Sequence, residues 1–396
     1  MSKANEPLNE RELWPVQILV NGSSVAGDVE PRMLLIDFLR NNAQLSGPRM
    51  GCEEGACGAC TVELDGQTIK SCLTLTVQAD GGSITTIEGI AENDNLAKVQ
   101  QAFIDCHAVQ CGYCTSGMIM SARAFLDSVG SSDFSDEDVR HALSGNYCRC
   151  TGYNNIIQAV KVAAGKEASP VHCDTDAAPD GNWIGQSVVR REDNRLVRGA
   201  GRYTDNYGST TDLHLFIVRS RRAHANIKSI DTNAAKNAPG VALVLTGQEA
   251  LKHWQPISPT MDLLDLNLPR TYAIAVNKVI YYGEPIAIVV ATNPYLAEDA
   301  ARLVEVEYED LPTNTDIVRA ADVGAGDSAL LYPDWGSNIQ VEFAFELGKV
   351  DAAFANADLI VDEEIVLPRI GAMPMETRMV HADFNRSEQR LVIRAS

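Results

Sequence analysis

Residues 51–72 carry the strongest chemical signal in the chain. They read Gly-Cys-Glu-Glu-Gly-Ala-Cys-Gly-Ala-Cys, then a strand-like segment, then one more cysteine. Cys52, Cys57, Cys60 and Cys72 make a C-x4-C-x2-C run with a distal fourth member. That is the plant-type spacing of a [2Fe–2S] cluster, in which four thiolates converge on two irons from an enclosing loop. Gly51, Gly55 and Gly58 let the loop bend and bring N–H groups toward the sulfurs. Structural zinc sites favour paired C-x2-C units, a shape this glycine loop lacks.

A second group follows: Cys111-x2-Cys114 and Cys148-x-Cys150. Taken alone, that set suits zinc as well as iron. Beside a plant-type motif it reads as a second [2Fe–2S] site. Both halves sit at the starts of expected helices, where N–H dipoles favour anionic thiolates. Cys106 falls on the apolar face of an expected helix and reads as a buried thiol. Cys173, His107 and His172 show no ligand spacing.

The elements that position these cysteines are legible. Val16 to Val20 alternates, and Asn21-Gly22 is a hairpin turn signal. Met33 to Arg40 has helical periodicity through Leu34, Leu35, Phe38 and Leu39. Thr61 to Leu64, the turn Asp65-Gly66 and Gln67 to Ile69 form a second hairpin that returns Cys72 to the loop, and Ile84 to Ile87 is a further strand. Helices are expected at Asn95–Cys106, Ser116–Val129, Ser135–Leu143 and Asn154–Ala164. Ser135 with Asp138 makes a capping pattern, and Gly145 stands where a helix end favours glycine. Lys166 to Gly181, rich in Ala, Asp and Pro, reads as a linker. The remainder has α/β texture: strands at Leu215–Val218, Val241–Leu245 and Ile286–Ala291, a turn at Pro239-Gly240, and a helix at Pro294–Val304 with Leu296, Ala297, Ala300 and Leu303 inward. Gly324-Ala325-Gly326 superficially matches a dinucleotide fingerprint but lacks a preceding strand.

The chain has 396 residues, 45% hydrophobic, with a formal charge of −20. At about 150 residues per domain this allows several domains with real cores. The acidic surface repels phosphate backbones, so nucleic acid is not an expected partner. The longest apolar runs are strand-sized, far short of the ~20 residues of a bilayer span, so no membrane span is expected. The N-terminus lacks an apolar signal region, and ten cysteines in clustered motifs point to metal ligation in a reducing compartment, so a cytoplasmic location is expected.

These stretches resemble the molybdenum hydroxylase family, which includes xanthine dehydrogenase, aldehyde oxidoreductase and nicotinate dehydrogenase. Residues 51–60 are similar to the family's first cluster loop. Val109-Gln110-Cys111-Gly112-Tyr113-Cys114-Thr115 and Gly145-Asn146-Tyr147-Cys148-Arg149-Cys150-Thr151-Gly152-Tyr153 are similar to the two halves of its second. Tyr282-Gly283-Glu284-Pro285-Ile286-Ala287 and Val306-Glu307-Tyr308-Glu309-Asp310-Leu311-Pro312 resemble its hammerhead domain, whose opening Ile184-Gly185 and Arg219-Ser220 also fit. By this resemblance Gln110 and Cys150 lie beside the pterin of the molybdenum cofactor. A glutamine amide can hydrogen-bond a pterin edge.

There are departures. Ser116 stands where relatives usually have proline, at a first-turn position where proline is optional. No FAD domain separates the cluster region from the hammerhead region. Pro374-Met375-Glu376 resembles the opening of the molybdenum-binding domain, and the sequence stops at Ser396, before the family's later cofactor loops and its catalytic glutamate.

The expected fold is therefore multidomain α+β. Residues 1–14 are a tail, 15–90 a β-grasp [2Fe–2S] ferredoxin-like domain, 91–165 a four-helix [2Fe–2S] domain and 166–182 a linker. Residues 183–320 are an α/β hammerhead domain, and 321–396 the first part of a molybdopterin-binding domain. The implied function is the electron-transfer and scaffold subunit of a molybdenum hydroxylase acting on an N-heterocycle or an aldehyde, with no catalytic residue in this chain. Its implied cofactors are two [2Fe–2S] clusters and a shared molybdenum-molybdopterin. A second large-subunit chain would carry the rest of the molybdopterin site, as in split enzymes of the nicotinate dehydrogenase kind. FAD or haem would sit on a flavoprotein or cytochrome subunit. The competing readings are a stand-alone ferredoxin-type carrier fused to a binding module, and a zinc-stabilised interaction protein.

Overall fold

The computed structural model describes residues 13–91, 95–166, 184, 187–209, 211–257, 266–322 and 329–396. Nearly all of the expected tail and linker, His172, Cys173, Gly185 and Gly324-Ala325-Gly326 lie outside the described residues. Two compact units are present, Arg11–Thr210 with Arg369–Ser396, and Thr211–Pro368.

The first unit opens with strands β1 (Trp14–Val20) and β2 (Ser23–Val29), joined through Asn21 at φ 49° and Gly22 at φ 79°. Positive φ at both central residues gives the turn the twist of its strands. In β1 the inward positions Val16, Ile18 and Val20 are buried. Helix α1 (Leu35–Asn41) begins later than its periodicity suggests, because Leu34 is extended and bridges to Leu75. Strands β3 (Thr61–Leu64), β4 (Gln67–Lys70) and β5 (Ser83–Thr85) complete a mixed sheet in the order β2-β1-β5-β3-β4, with β1 and β5 parallel. Leu35, Phe38 and Leu39 of α1 pack on Val16, Ile18, Val20, Val62 and Ile84 of the sheet. That is a β-grasp arrangement.

Next come α2 (Lys98–Asp105), α3 (Thr115–Val129), α4 (Asp136–Ala142) and α5 (Asn154–Ala163). The Ser135 hydroxyl accepts from the Asp138 N–H, and the Asp138 carboxylate accepts from the Ser135 N–H, closing the expected cap. Gly145 does not play its expected part. It is absent from the left-handed glycines, and α4 ends instead at Leu143, whose N–H reaches the Val139 and His141 carbonyls. Cys106 is buried in the helical core. A short helix α6 (Asp193–Val197) joins this core through Leu196 and Val197, and Gln100 Nε2 donates to the Val197 carbonyl at 2.9 Å.

The second unit holds two three-stranded antiparallel sheets. One, in the order β6-β10-β8, comprises β6 (His214–Arg219), β8 (Val241–Thr246) and β10 (Pro285–Ala291). The other, β11-β7-β9, comprises β7 (Ala225–Asp231), β9 (Lys278–Val279) and β11 (Glu305–Asp310). Short helices α7 (Asn233–Lys236), α8 (Gly247–Ala250), α10 (Ile317–Ala321) and α11 (Val350–Ala355) accompany α9 (Pro294–Ala301). Ala297 and Ala300 of α9 are buried as expected, but Leu303 lies past the helix end and is 41% exposed. Ser220 and Glu284, from the two phrases read as hammerhead, meet: the Ser220 N–H donates to the Glu284 carbonyl at 2.8 Å. Finally, β12 (Val380–Asn385) and β13 (Arg390–Ala395) form a hairpin in the first unit.

Candidate metal centres

The β3–β4 hairpin folds Cys72 back onto the glycine loop, as its turn signal implied. The Ser71 N–H and hydroxyl both donate to the Cys60 carbonyl, at 3.3 and 2.7 Å. The Cys60 and Cys72 sulfurs are 3.3 Å apart. Across the loop, Cys52 Sγ accepts from the N–H groups of Glu54 and Cys57, each at 3.4 Å. Burial pushes the Cys52 thiol up, but these N–H donors outweigh it and hold its pKa below the usual value. Burial pushes Cys57 up to about 11 and, with the neighbouring Cys60, Cys72 to about 12. Cys57 and Cys72 are thus held in the thiol form in the metal-free loop, and metal binding must release their protons.

In the second group, Cys114 caps α3 and Cys148 and Cys150 precede α5. The thiols pair as Cys114 with Cys148 and Cys111 with Cys150. The hydrogen bond from Cys114, with help from Thr151 Oγ1 at 3.1 Å, lowers Cys148 to about 5. The same bond and burial raise Cys114. Cys114 is buried, whereas Cys111 and Cys150 are exposed.

The two groups are tied together. The Tyr147 N–H donates to the Cys57 carbonyl at 2.8 Å, and Asn146 Nδ2 to the Gly58 carbonyl at 3.1 Å. Ser121 Oγ holds Asn146 Oδ1 at 2.7 Å, and Lys70 Nζ bridges Thr61 Oγ1 and the Gly145 carbonyl at 2.8 and 3.1 Å. A Cβ at Gly58, whose φ is +73°, would overlap the Gly145 carbonyl, and a Cβ at Gly117 would overlap the Gly58 carbonyl. Nothing in the spacing of Asn146, Lys70 and Gly117 marks them as linking residues, because the groups they join are remote in the chain.

Gln110 is exposed, and its carbonyl accepts from Arg190 Nη2 at 2.7 Å. It therefore shares the exposed edge of the second group with Cys111 and Cys150. Arg149, between Cys148 and Cys150, donates to the Ala372 and Gly371 carbonyls at 2.8 and 3.2 Å, and Glu376 Oε1 accepts from the Thr204 N–H at 3.0 Å. Pro374-Met375-Glu376 is thereby anchored beside that edge. His107 bonds Ser187 Oγ at 2.7 Å and takes no part in either group.

These donors fit diiron clusters. No disulfide joins the described cysteines. Among the described residues no three His, Cys, Asp or Glu groups gather as a single-ion site requires. The sulfurs instead come in pairs, and each iron of an all-cysteine [2Fe–2S] cluster takes two.

Comparison with known proteins agrees. Residues 18–86 match the 2Fe-2S iron-sulfur cluster binding domain, and 86–161 the [2Fe-2S] binding domain. Residues 198–312 match the aldehyde oxidase and xanthine dehydrogenase a/b hammerhead domain, and 331–396 the molybdopterin cofactor-binding domain. The caffeine dehydrogenase gamma subunit of Pseudomonas sp. (strain CBB1) is 48% identical over 147 residues, 37% of this chain and 88% of that subunit. The chain belongs to the molybdenum hydroxylase family. Its matched domains are of the kinds that bind two [2Fe–2S] clusters and a molybdopterin cofactor. The aldehyde oxidoreductase of Megalodesulfovibrio gigas is 35% identical over 92% of this chain, which spans 41% of that protein. The solved aldehyde oxidoreductase from Desulfovibrio gigas superposes on 96% of this chain at a TM-score of 0.82 and 32% identity, with 43% of its own length covered. The chain thus spans about two fifths of the long relatives it matches. No helix among the described residues is long and apolar enough to cross a membrane.

Proposed function

We propose that this chain is the electron-transfer and scaffold part of a molybdenum hydroxylase. Cys52, Cys57, Cys60 and Cys72 would hold one [2Fe–2S] cluster, and Cys111, Cys114, Cys148 and Cys150 the other. When bound, the clusters supply one-electron relay sites, and the molybdenum centre supplies hydroxylation with oxygen from water. The chain's own work is positioning and tuning. The observation that carries this reading is the Tyr147-to-Cys57 hydrogen bond, which joins the two sulfur groups through one backbone contact. Gln110 and Cys150, on the exposed edge of the second group, would face the pterin.

A second polypeptide carrying the rest of the molybdopterin site would cover the apolar side chains between residues 343 and 370. Phe343, Phe345 and Leu367 are 79%, 82% and 83% exposed. Side chains of that size left in solvent favour association. A flavoprotein or cytochrome subunit would take the electrons. The substrate class, an aldehyde or an N-heterocycle, follows the names of the relatives, and free thiols suit the cytoplasm.

Anaerobic EPR of the isolated protein tests the reading. Two distinct [2Fe–2S] signals, with about four irons per chain, are expected. Zinc in place of iron would refute it. Copurification with a molybdenum-bearing chain tests the partner, and isolation as a molybdenum-free single chain from the native operon would favour the carrier reading.

A further inference from the structure

Arg49 lies just ahead of the first cysteine loop, where its backbone N–H donates to the Ala59 carbonyl at 3.2 Å. Its side chain is fully buried, yet no carboxylate pairs with it among the described ion pairs, and Nε and Nη1 have no hydrogen-bond partner. Only Nη2 is satisfied, by the Gly199 carbonyl at 3.2 Å. The guanidinium lies 4.2 Å from the Tyr203 ring centroid and 5.8 Å from that of Tyr113. Both rings touch the cysteine segments. The Tyr203 hydroxyl donates to the Cys111 carbonyl at 2.7 Å, and the Tyr113 hydroxyl to the Met50 carbonyl at 2.8 Å. The Asp205 carboxylate attracts the guanidinium, but its Oδ2 pairs with Arg40 at 2.8 Å rather than with Arg49.

A lone buried cation is costly to a fold, and ring faces repay only part of that cost. What the site lacks is negative charge. A thiolate-ligated cluster gains negative charge with each electron, and net charge near a cluster sets its potential. We propose that Arg49 is a potential-setting residue: its buried charge favours the electron on the adjacent [2Fe–2S] centres, whose reduced form is the missing counter-charge. Arg49 touches no reacting atom and acts only through the field. Glu376, bonded to Thr204, faces the same rings, so the balance of charge here is shared by the loop, the helical layer and the segment after Arg369.

This inference rests on the cluster assignment above. The test is a dye-mediated potentiometric titration of the protein as isolated, read by EPR, together with thermal unfolding of its oxidised form. Arg49→Met should lower the reduction equilibrium constant of at least one cluster tenfold or more, 59 mV for one electron, without lowering the unfolding midpoint. Arg49→Lys should retain most of the wild-type potential. Asp205→Asn, which leaves Arg40 unpaired, should move the potential the opposite way, and it keeps the test open if Arg49→Met assembles no clusters. Reduction equilibrium constants within threefold of wild type in all variants, or equal shifts in the Lys and Met variants, would overturn the proposal. Absence of both EPR signals from the wild type would instead fail the cluster assignment itself.

Discussion

The Tyr147 amide donates to the Cys57 carbonyl at 2.8 Å, so Cys148 is separated from the first cysteine loop by one residue and one hydrogen bond. Around that bond the two loops approach so closely that Gly58 and Gly117 have no room for a side chain. The joint between the sulfur groups is thus backbone against backbone, which fixes their separation more tightly than side chains would.

Gly58→Ala should open this joint. The left-handed φ alone costs about 1–2 kcal/mol for a residue with a Cβ, and overlap with the Gly145 carbonyl adds to it. The expected outcome is a lower unfolding midpoint and loss or broadening of the first-cluster EPR signal. A variant with unchanged stability and spectrum would contradict the close approach.

Asn146→Ala removes a buried amide: the Gly58 carbonyl loses one donor but keeps the Thr61 N–H and hydroxyl, and the Ser121 hydroxyl loses its acceptor. Such a loss typically costs about 0.5–1.5 kcal/mol. Chemical denaturation should show that decrease, with the slope against denaturant unchanged.

Cys60→Ser and Cys148→Ser should each abolish one EPR signal and leave the other, because the sulfurs fall into two separate sets. Loss of both signals in either variant would show that the sets assemble as one unit.

Glu284 gives a pH prediction for the second unit. Burial raises its carboxyl above the usual range, although the Ile280 N–H, donating to Oε2 at 2.6 Å, opposes the shift. A carboxyl raised in the folded state binds its proton more tightly there. Its contribution to stability is complete below the unfolded pKa, about 4.3, and declines as pH rises through the folded pKa. Glu284→Gln keeps an acceptor for Ile280 and cannot ionise. It should lose less stability than wild type between pH 4 and 7 in thermal unfolding; parallel pH profiles would contradict this.

Much of the local structure was legible because its causes are local. Asn21-Gly22 and Asp65-Gly66 adopt the positive φ pairs that hairpin turns need, and Ser135 with Asp138 closes the expected cap. Helices α1 and α2 begin two or three residues later than their apolar periodicity suggests, because that periodicity runs on into residues that pair as extended chain or cap the helix. Gly145 differs for a similar reason: its residue type suggests a helix-ending conformation, while the fold uses its carbonyl to receive Lys70.

By itself the sequence determined the kind of chemistry, since cysteine spacing and glycine loops are constraints within a few residues of each other. Only the tertiary structure decided how the sulfurs pair, that Asn146 reaches the Gly58 carbonyl 88 positions away, and that Arg49 is buried against two tyrosine rings with Nε and Nη1 unbonded among the described residues. Those relations join segments remote in the chain. Burial, which determines what each costs, exists only once the segments have packed.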